Sequence, residues 1–239
     1  MKNSTGYFFS VLFSLIIFGN NAFAQESTSS MHFSLFGGIA LPQGDFGSTV
    51  IDYDKAGFAK TGFSAMVEGS KNLNENVLWV SSLSLALNSM DESAMKNRDS
   101  FYEEYNATAG SYLTTWAMTG IVYETAISPS INIYGVGQIG LLLSSVPEVK
   151  ISGSNYYGPF TENITSKIGT SFAFSLGGGV KINKINIALR YFSGEPEYEQ
   201  TYKGDVLTVI DGYYTITDSK TEKTKKPASV LQLLVGITL

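Results

Sequence analysis

Residues 229–239 read Ser-Val-Leu-Gln-Leu-Leu-Val-Gly-Ile-Thr-Leu, in which Leu231, Leu233, Val235, Ile237 and Leu239 alternate with Gln232, Leu234, Gly236 and Thr238. Side chains of a strand point to opposite faces with period two, so this stretch predicts a strand with one branched-apolar face and one mostly small or polar face. A terminal strand this apolar can pair with the first strand and close a sheet, removing the open edges that otherwise template aggregation.

Working back along the chain, Ile185, Ile187, Leu189 and Tyr191 oppose Asn186, Ala188, Arg190 and Phe192. A tight turn, Asn183-Lys184, joins them to a strand with Phe172, Phe174, Leu176 and Val180 on one face and Ser171, Ala173, Ser175 and Lys181 on the other. Trp79, Leu83, Leu85 and Leu87 oppose Val80, Ser82, Ser84 and Asn88, while Phe63, Ala65 and Val67 oppose Ser64, Met66 and Glu68. Phe33, Leu35, Ile39 and Leu41 oppose His32, Ser34, Phe36 and Ala40 in the first strand. Residues 112–124 and 131–143 complete a set of eight, but apolar residues occupy both of their faces and the pattern does not assign an inward side. The glycines of Tyr134-Gly135-Val136-Gly137-Gln138-Ile139-Gly140 suit a tightly curved small barrel.

Connections after the first, third, fifth and seventh strands are long, and those between are short. The longest, residues 194–228, holds a hairpin signal in Val206–Ile210 and Tyr213–Thr217 around Asp211-Gly212. Its arms are shorter than the roughly 9 to 11 residues that cross a bilayer, so a projecting hairpin is expected and the strand count stays at eight. Alternating connection length is the habit of outer-membrane barrels, which have short periplasmic turns and longer extracellular loops. A lipocalin- or avidin-like barrel would instead hide its apolar face around a ligand. Here the cleaner apolar face opposes a face of Ser, Ala, Gly, Asn, Lys and Arg, as a lipid-embedded wall requires. The predicted fold is therefore all-β, an eight-stranded antiparallel up-and-down transmembrane β-barrel with short periplasmic turns and long extracellular loops.

Composition agrees. The 239 residues include 24 Gly, no Cys and 15% charged residues, which fits one large β domain without disulfides or thiolate metal sites. A formal charge of −5 and a pI near 4.9 argue against nucleic acid as partner. At the N-terminus Lys2 precedes an apolar core, Tyr7 to Phe18, followed by Ala22-Phe23-Ala24. This core is short of the roughly 20 residues of a spanning helix, so residues 1–24 are expected to be a cleaved signal peptide, and residues 25–239 the barrel domain.

With this pattern, and with Gly120-Ile121-Val122-Tyr123 and the Tyr134–Gly140 phrase, residues 31–239 resemble the small outer-membrane β-barrel superfamily, whose familiar members are OmpX and the transmembrane domain of OmpA. The resemblance implies a bacterial outer-membrane location, a monomer, and contact with outer-membrane lipid and lipopolysaccharide, with extracellular ligands met through the loops. It differs at the end, Leu239, where many members carry an aromatic residue. A peptidoglycan-anchoring role of the full-length OmpA kind is not expected.

A few such barrels modify lipid A, and an esterase would need a His beside a Ser near the outer leaflet. The single histidine, His32, falls at the periplasmic rim, the wrong end. Asp52 and Asp54 form a D-x-D without the Gly and Glu of a calcium loop and read as solvated. Asn106-Ala107-Thr108 and Asn163-Ile164-Thr165 match the glycosylation triplet, which carries little weight in a bacterial protein. No cofactor or metal is expected. The long loops hold 17 of the 21 acids and nine bases, so the chain's acidity lies on its outer side. Trp79, Tyr112, Tyr123, Tyr134 and Tyr191 fall towards strand ends, where aromatic girdles sit.

Two sets of charged residues are singled out. Glu68, Lys181 and Arg190 face inward, and burial requires Glu68 to pair with Lys181 at its own height or with the longer Arg190, plugging the lumen. Lys60, Lys167, Lys225 and Lys226 lie just before strands that descend from the outer surface and are expected to form a basic collar against phosphorylated headgroups. The function expected is non-enzymatic, structural or surface-interacting, with a narrow pore as the alternative and a lipid A modifying enzyme behind it.

Overall fold

The structure is a computed structural model and describes residues 31–50, 56–96, 104–155, 158–209 and 213–239. The expected signal peptide and the Asp52/Asp54 pair lie outside these residues. In chain order the elements are β1 (Met31–Gln43), β2 (Gly62–Asn72), β3 (Val77–Ser89), a helical turn α1 (Glu92–Lys96), β4 (Glu104–Ala109), β5 (Ser111–Ser128), β6 (Ile131–Ser145) and β7 (Val149–Asn155). There follow β8 (Gly158–Ser166), β9 (Gly169–Ile182), β10 (Ile185–Gly194), β11 (Glu197–Val209), β12 (Tyr213–Lys225) and β13 (Ser229–Thr238).

Eight of these strands close on themselves in the order β1-β2-β3-β5-β6-β9-β10-β13, every pair antiparallel. Closure falls where the terminal alternation predicts, with Leu35 opposite Ile237 and Ile39 opposite Leu233. The wall turns its apolar residues outward: Phe172 is 88% exposed, Phe63 77% and Ile139 71%. Apolar surface this extensive finds its solvent in hydrocarbon, and closure satisfies every backbone group that lipid cannot. The chain is a transmembrane β-barrel. Its interior is filled, with Trp116, Phe192, Leu142, Leu234, Gln232 and Arg190 all fully buried.

The two unassigned strands resolve clearly. Tyr112, Thr114, Trp116, Met118 and Val122 point inward from β5, as do Tyr134, Val136, Gln138 and Leu142 from β6. Tyr112 and Tyr134 are therefore interior residues and not part of a girdle; Tyr123, 56% exposed, does face out.

Three expected loops contain regular structure instead. Beyond the loop-end rim, β4, β7, β8, β11 and β12 continue the lines of β5, β6, β9, β10 and β13, and they pair with one another in the same neighbour order. The hairpin arms expected to be short are 13 residues each. Pro147, Pro196 and Pro227 sit in three of the junctions, where a residue without N–H interrupts a ladder. Above the rim the alternation keeps its period and reverses its sense. Ala107, Val149, Ile151 and Tyr198 are buried on the inner side, in one apolar cluster that also holds Met90 and Met95, while Thr108, Lys150, Thr165 and Thr221 face out.

The β1–β2 connection covers the same mouth. Phe46 is buried with its ring 5.0 Å from that of Tyr112, edge to face, and the Tyr112 hydroxyl donates to Gly57 O at 2.7 Å. A Cβ at Gly57 would lie 2.4 Å from Phe46 O, so glycine allows this close approach. Phe58 follows at φ 53, a strained position for a bulky residue, fixed by bonds from its N–H to Ser48 O and from Asp91 N–H to its own carbonyl.

Candidate functional site

Within the lumen, β2 supplies Glu68, β5 Glu124, β6 Gln138 and Tyr134, β9 Lys181, and β10 Arg190. Arg190 is fully buried, and its Nη2 donates to Glu68 Oε2 at 2.8 Å across the barrel. Of the two partners open to Glu68, the structure thus places Arg190 against it. Lys181 is paired with Glu124 instead, whose other oxygen accepts from Asn132 Nδ2 at 2.6 Å. The two ion pairs flank one aromatic ring: Lys181 Nζ lies 5.5 Å and Arg190 Cζ 5.6 Å from the Tyr134 centroid, a cation–π arrangement. The Tyr134 hydroxyl donates to Asn186 Oδ1 at 2.9 Å. Backbone geometry makes room for this. A Cβ at Gly177 would come within 2.7 Å of Arg190 Cδ, and one at Gly179 within 2.5 Å of the Tyr134 oxygen.

Around the pairs runs a set of neutral bonds, Gln138 Nε2 to Ser82 Oγ at 3.1 Å and Ser84 Oγ to Gln232 Oε1 at 3.0 Å. Satisfaction of buried polar groups by one another is what a charged interior needs, because an unpaired charge there costs several kcal/mol, on the order of 3–5. Towards the turn end the lumen opens into a polar cavity of about 450 Å³ lined by Glu124, Lys181, Asn132 and His32 among others. His32 therefore sits at the end opposite the extension.

Sequence reasoning missed Glu124, because the β5 pattern has apolar residues on both faces and gives no inward side. The signal was there in Lys181, an inward cation one Glu short of neutrality. It also missed Tyr134, assigned to a girdle.

The four rim lysines all lie at the loop end, but on two sides. Lys60 precedes β2 and pairs with Asp91 at 3.1 Å. Lys167 precedes β9 and pairs with Glu199 at 2.6 Å, holding that carboxyl below its ordinary range. Lys225 ends β12 opposite Glu197, and the Lys226 N–H donates to Pro196 O. Nearby, burial pushes the Tyr198 hydroxyl up to about 12.

No protein-family model matches the chain, and no curated protein matches it in sequence. Among solved structures it is similar to Ail, the attachment invasion locus protein of Yersinia pestis, at 13% identity and TM-score 0.38, over 90% of this chain and all of that one. Neisserial surface protein A aligns at 10% identity and TM-score 0.42, covering 89% and 99% of the two chains. A major outer membrane protein from Thermus thermophilus aligns at 9% identity and TM-score 0.48, covering 88% and 100%. The barrel assignment rests on this chain's own closure and outward apolar belt.

Proposed function

We propose that the protein is a non-enzymatic barrel of the bacterial outer membrane, exported through a cleaved signal peptide, whose role is to hold a five-stranded sheet above the cell surface for interaction with other molecules. The observation that carries this reading is the reversal of alternation at the rim. Apolar side chains face out below it and in above it, which fits a wall that leaves lipid and enters water without ceasing to be a sheet. The filled interior and paired charges support a closed barrel over a pore. In this reading the protein is a monomer, with outer-leaflet lipid and lipopolysaccharide against its wall.

Replacing residues 197–225 by a tight turn tests the proposal. The shortened chain is expected to remain heat-modifiable on detergent gels, as closed barrels are, while cells carrying it lose the surface adhesion conferred by the full chain. Adhesion equal in both, or a steady conductance from the full chain in planar bilayers, would defeat it.

A further inference from the structure

The strands above the rim form an open sheet in the order β12-β11-β8-β7-β4, so β12 and β4 each present an edge. An edge strand offers a row of unpaired N–H and C=O groups that template a further strand. At β4 the edge is short, six residues, and α1 covers its end, where Glu92 Oε1 accepts from the Ala109 N–H at 2.8 Å. At β12 the edge runs for 13 residues, and among the described residues its strand partner is β11 alone. Ser219, Lys220, Thr221, Glu222 and Lys223 are exposed in succession, so this stretch meets solvent on both faces of the sheet. Charge is ordered about the middle of the strand, where Asp218 and Lys220 flank Ser219.

We propose that β12 docks edge to edge with β12 of a second copy of this chain held in a facing membrane. Identical edges related by a two-fold axis hydrogen-bond only when their strands run antiparallel, because in a two-fold parallel pair N–H would face N–H and C=O would face C=O. β12 descends from the tip of the sheet to the rim, so an antiparallel mate descends the opposite way. Copies in one membrane run the same way, whereas copies in facing membranes meet the condition. A two-fold strand pair is centred on one residue, and Ser219 suits. Asp218 then stands opposite Lys220 on both sides of the axis, Thr217 opposite Thr221 and Thr215 opposite Lys223, with no like charges opposed. Lys220, paired along its own strand with Glu222, gains a second carboxylate. The whole strand is used, and at about 3.4 Å per residue the two rims stand roughly 40 Å apart, the height of the extension itself. Centred on Thr221, the tips would be driven into the facing membrane. Centred on Thr217, Asp218 and Lys220 would face Ile216 and Tyr214, and centred on either charged residue, like would meet like.

This contact rests on the proposed role, a sheet held above the cell surface, and names the partner of that sheet. Two populations of cells with truncated lipopolysaccharide, labelled in different colours and displaying the full chain, are mixed and their joint clusters counted. Asp218→Lys sets lysine against lysine across the two-fold axis, and Lys220→Asp sets aspartate against aspartate. Each variant alone is expected to cut joint clusters at least about fivefold, since like charges directly opposite destabilise a strand pair. Cells of one variant mixed with cells of the other are expected to recover them, because a lysine then opposes an aspartate at both places. Heat-modifiable migration checks that both variants are closed barrels. Absence of clusters with the unmutated chain, undiminished clustering by either variant alone, or no recovery in the mixture overturns the proposal. If unmutated cells do not cluster with one another yet lose adhesion to other surfaces when residues 197–225 are replaced, the copy-to-copy contact falls and the interaction reading stands. Absence of adhesion of every kind takes down both.

Discussion

Below the rim, β13 turns Leu233, Val235 and Ile237 outward, 42–55% exposed, and buries Gln232. On the continuation of the same line above the rim, β12 turns Thr221, Lys223 and Lys225 outward. Strand pairing is shared between the two regions, with β10 beside β13 and β11 beside β12. What differs is the medium on the outer side. A sheet's ladder is indifferent to its solvent, whereas its side chains are not, so the point of reversal marks where hydrocarbon gives way to water. The polar interior shows the converse: buried charge below the rim is matched pair by pair, while ion pairs above it stand in solvent.

The largest expected effect tests that last contrast. Arg190→Met leaves the Glu68 carboxylate buried without its cation and should cost about 3–5 kcal/mol in urea unfolding from lipid vesicles. Replacing Glu68 by Leu as well should recover most of the loss. Lys167→Met, which breaks an exposed pair above the rim, should leave unfolding unchanged within error. If Arg190→Met proves as mild as Lys167→Met, the interior is wetter than its packing implies and the contrast fails.

Next in size is the outer face itself. Leu233→Arg sets a charge against lipid near mid-wall and should cost roughly 2–4 kcal/mol, while Thr221→Arg, on the same line above the rim, should cost almost nothing. The lumen side is no refuge, since Gln232 is fully buried directly opposite Arg190 and Gln232→Arg would bring two cations together. Equal costs at positions 233 and 221 would move the membrane boundary away from the rim.

A smaller effect is expected at the mouth. Tyr112→Phe removes the donor to Gly57 O and should cost about 1–3 kcal/mol, read as lost hydrogen-exchange protection in residues 56–59 before any change in the barrel wall.

These contrasts also explain which parts of the molecule the sequence reveals. Strands bathed by lipid on one side write a strict apolar alternation, and β2, β3, β9, β10 and β13 are legible from it down to their inward residues. Where both faces are apolar the alternation disappears: the inside of β5 carries Trp116 and Met118, so its direction, and with it Glu124, stays hidden. The extension is illegible for another reason. Its outer face is Thr, Ser, Asn and Lys and its inner face only partly apolar, a composition shared with loops, and nothing local reports that β8 and β11 continue β9 and β10. Arg190 and Glu68 are visible as inward charges, but which cation meets Glu68 depends on strand stagger around the barrel.

The smallest effect concerns the loop that follows β3 and leads into α1. Asp91 Oδ1 accepts from the Ala94 N–H at 3.0 Å, capping α1, and Lys60 Nζ lies 3.1 Å from the same oxygen. The Ala94 amide, first, and the Lys60 charge hold this carboxyl below its ordinary value of 3.8 against an opposing contribution from burial. Because the folded-state value is the lower one, the carboxylate favours the folded loop at every pH above 3.8, and that support is lost as pH falls through the depressed value. The Ala94 amide should therefore lose hydrogen-exchange protection on acidification below pH 3.8, while amides of the barrel wall keep theirs. Asn caps a helix nearly as well as Asp but does not titrate, so Asp91→Asn should keep protection at neutral pH and abolish its acid loss, whereas Asp91→Ala should be poorly protected throughout. Acid loss that survives in Asp91→Asn would assign the pH response to another group and detach this loop from the water-exposed side of the comparison.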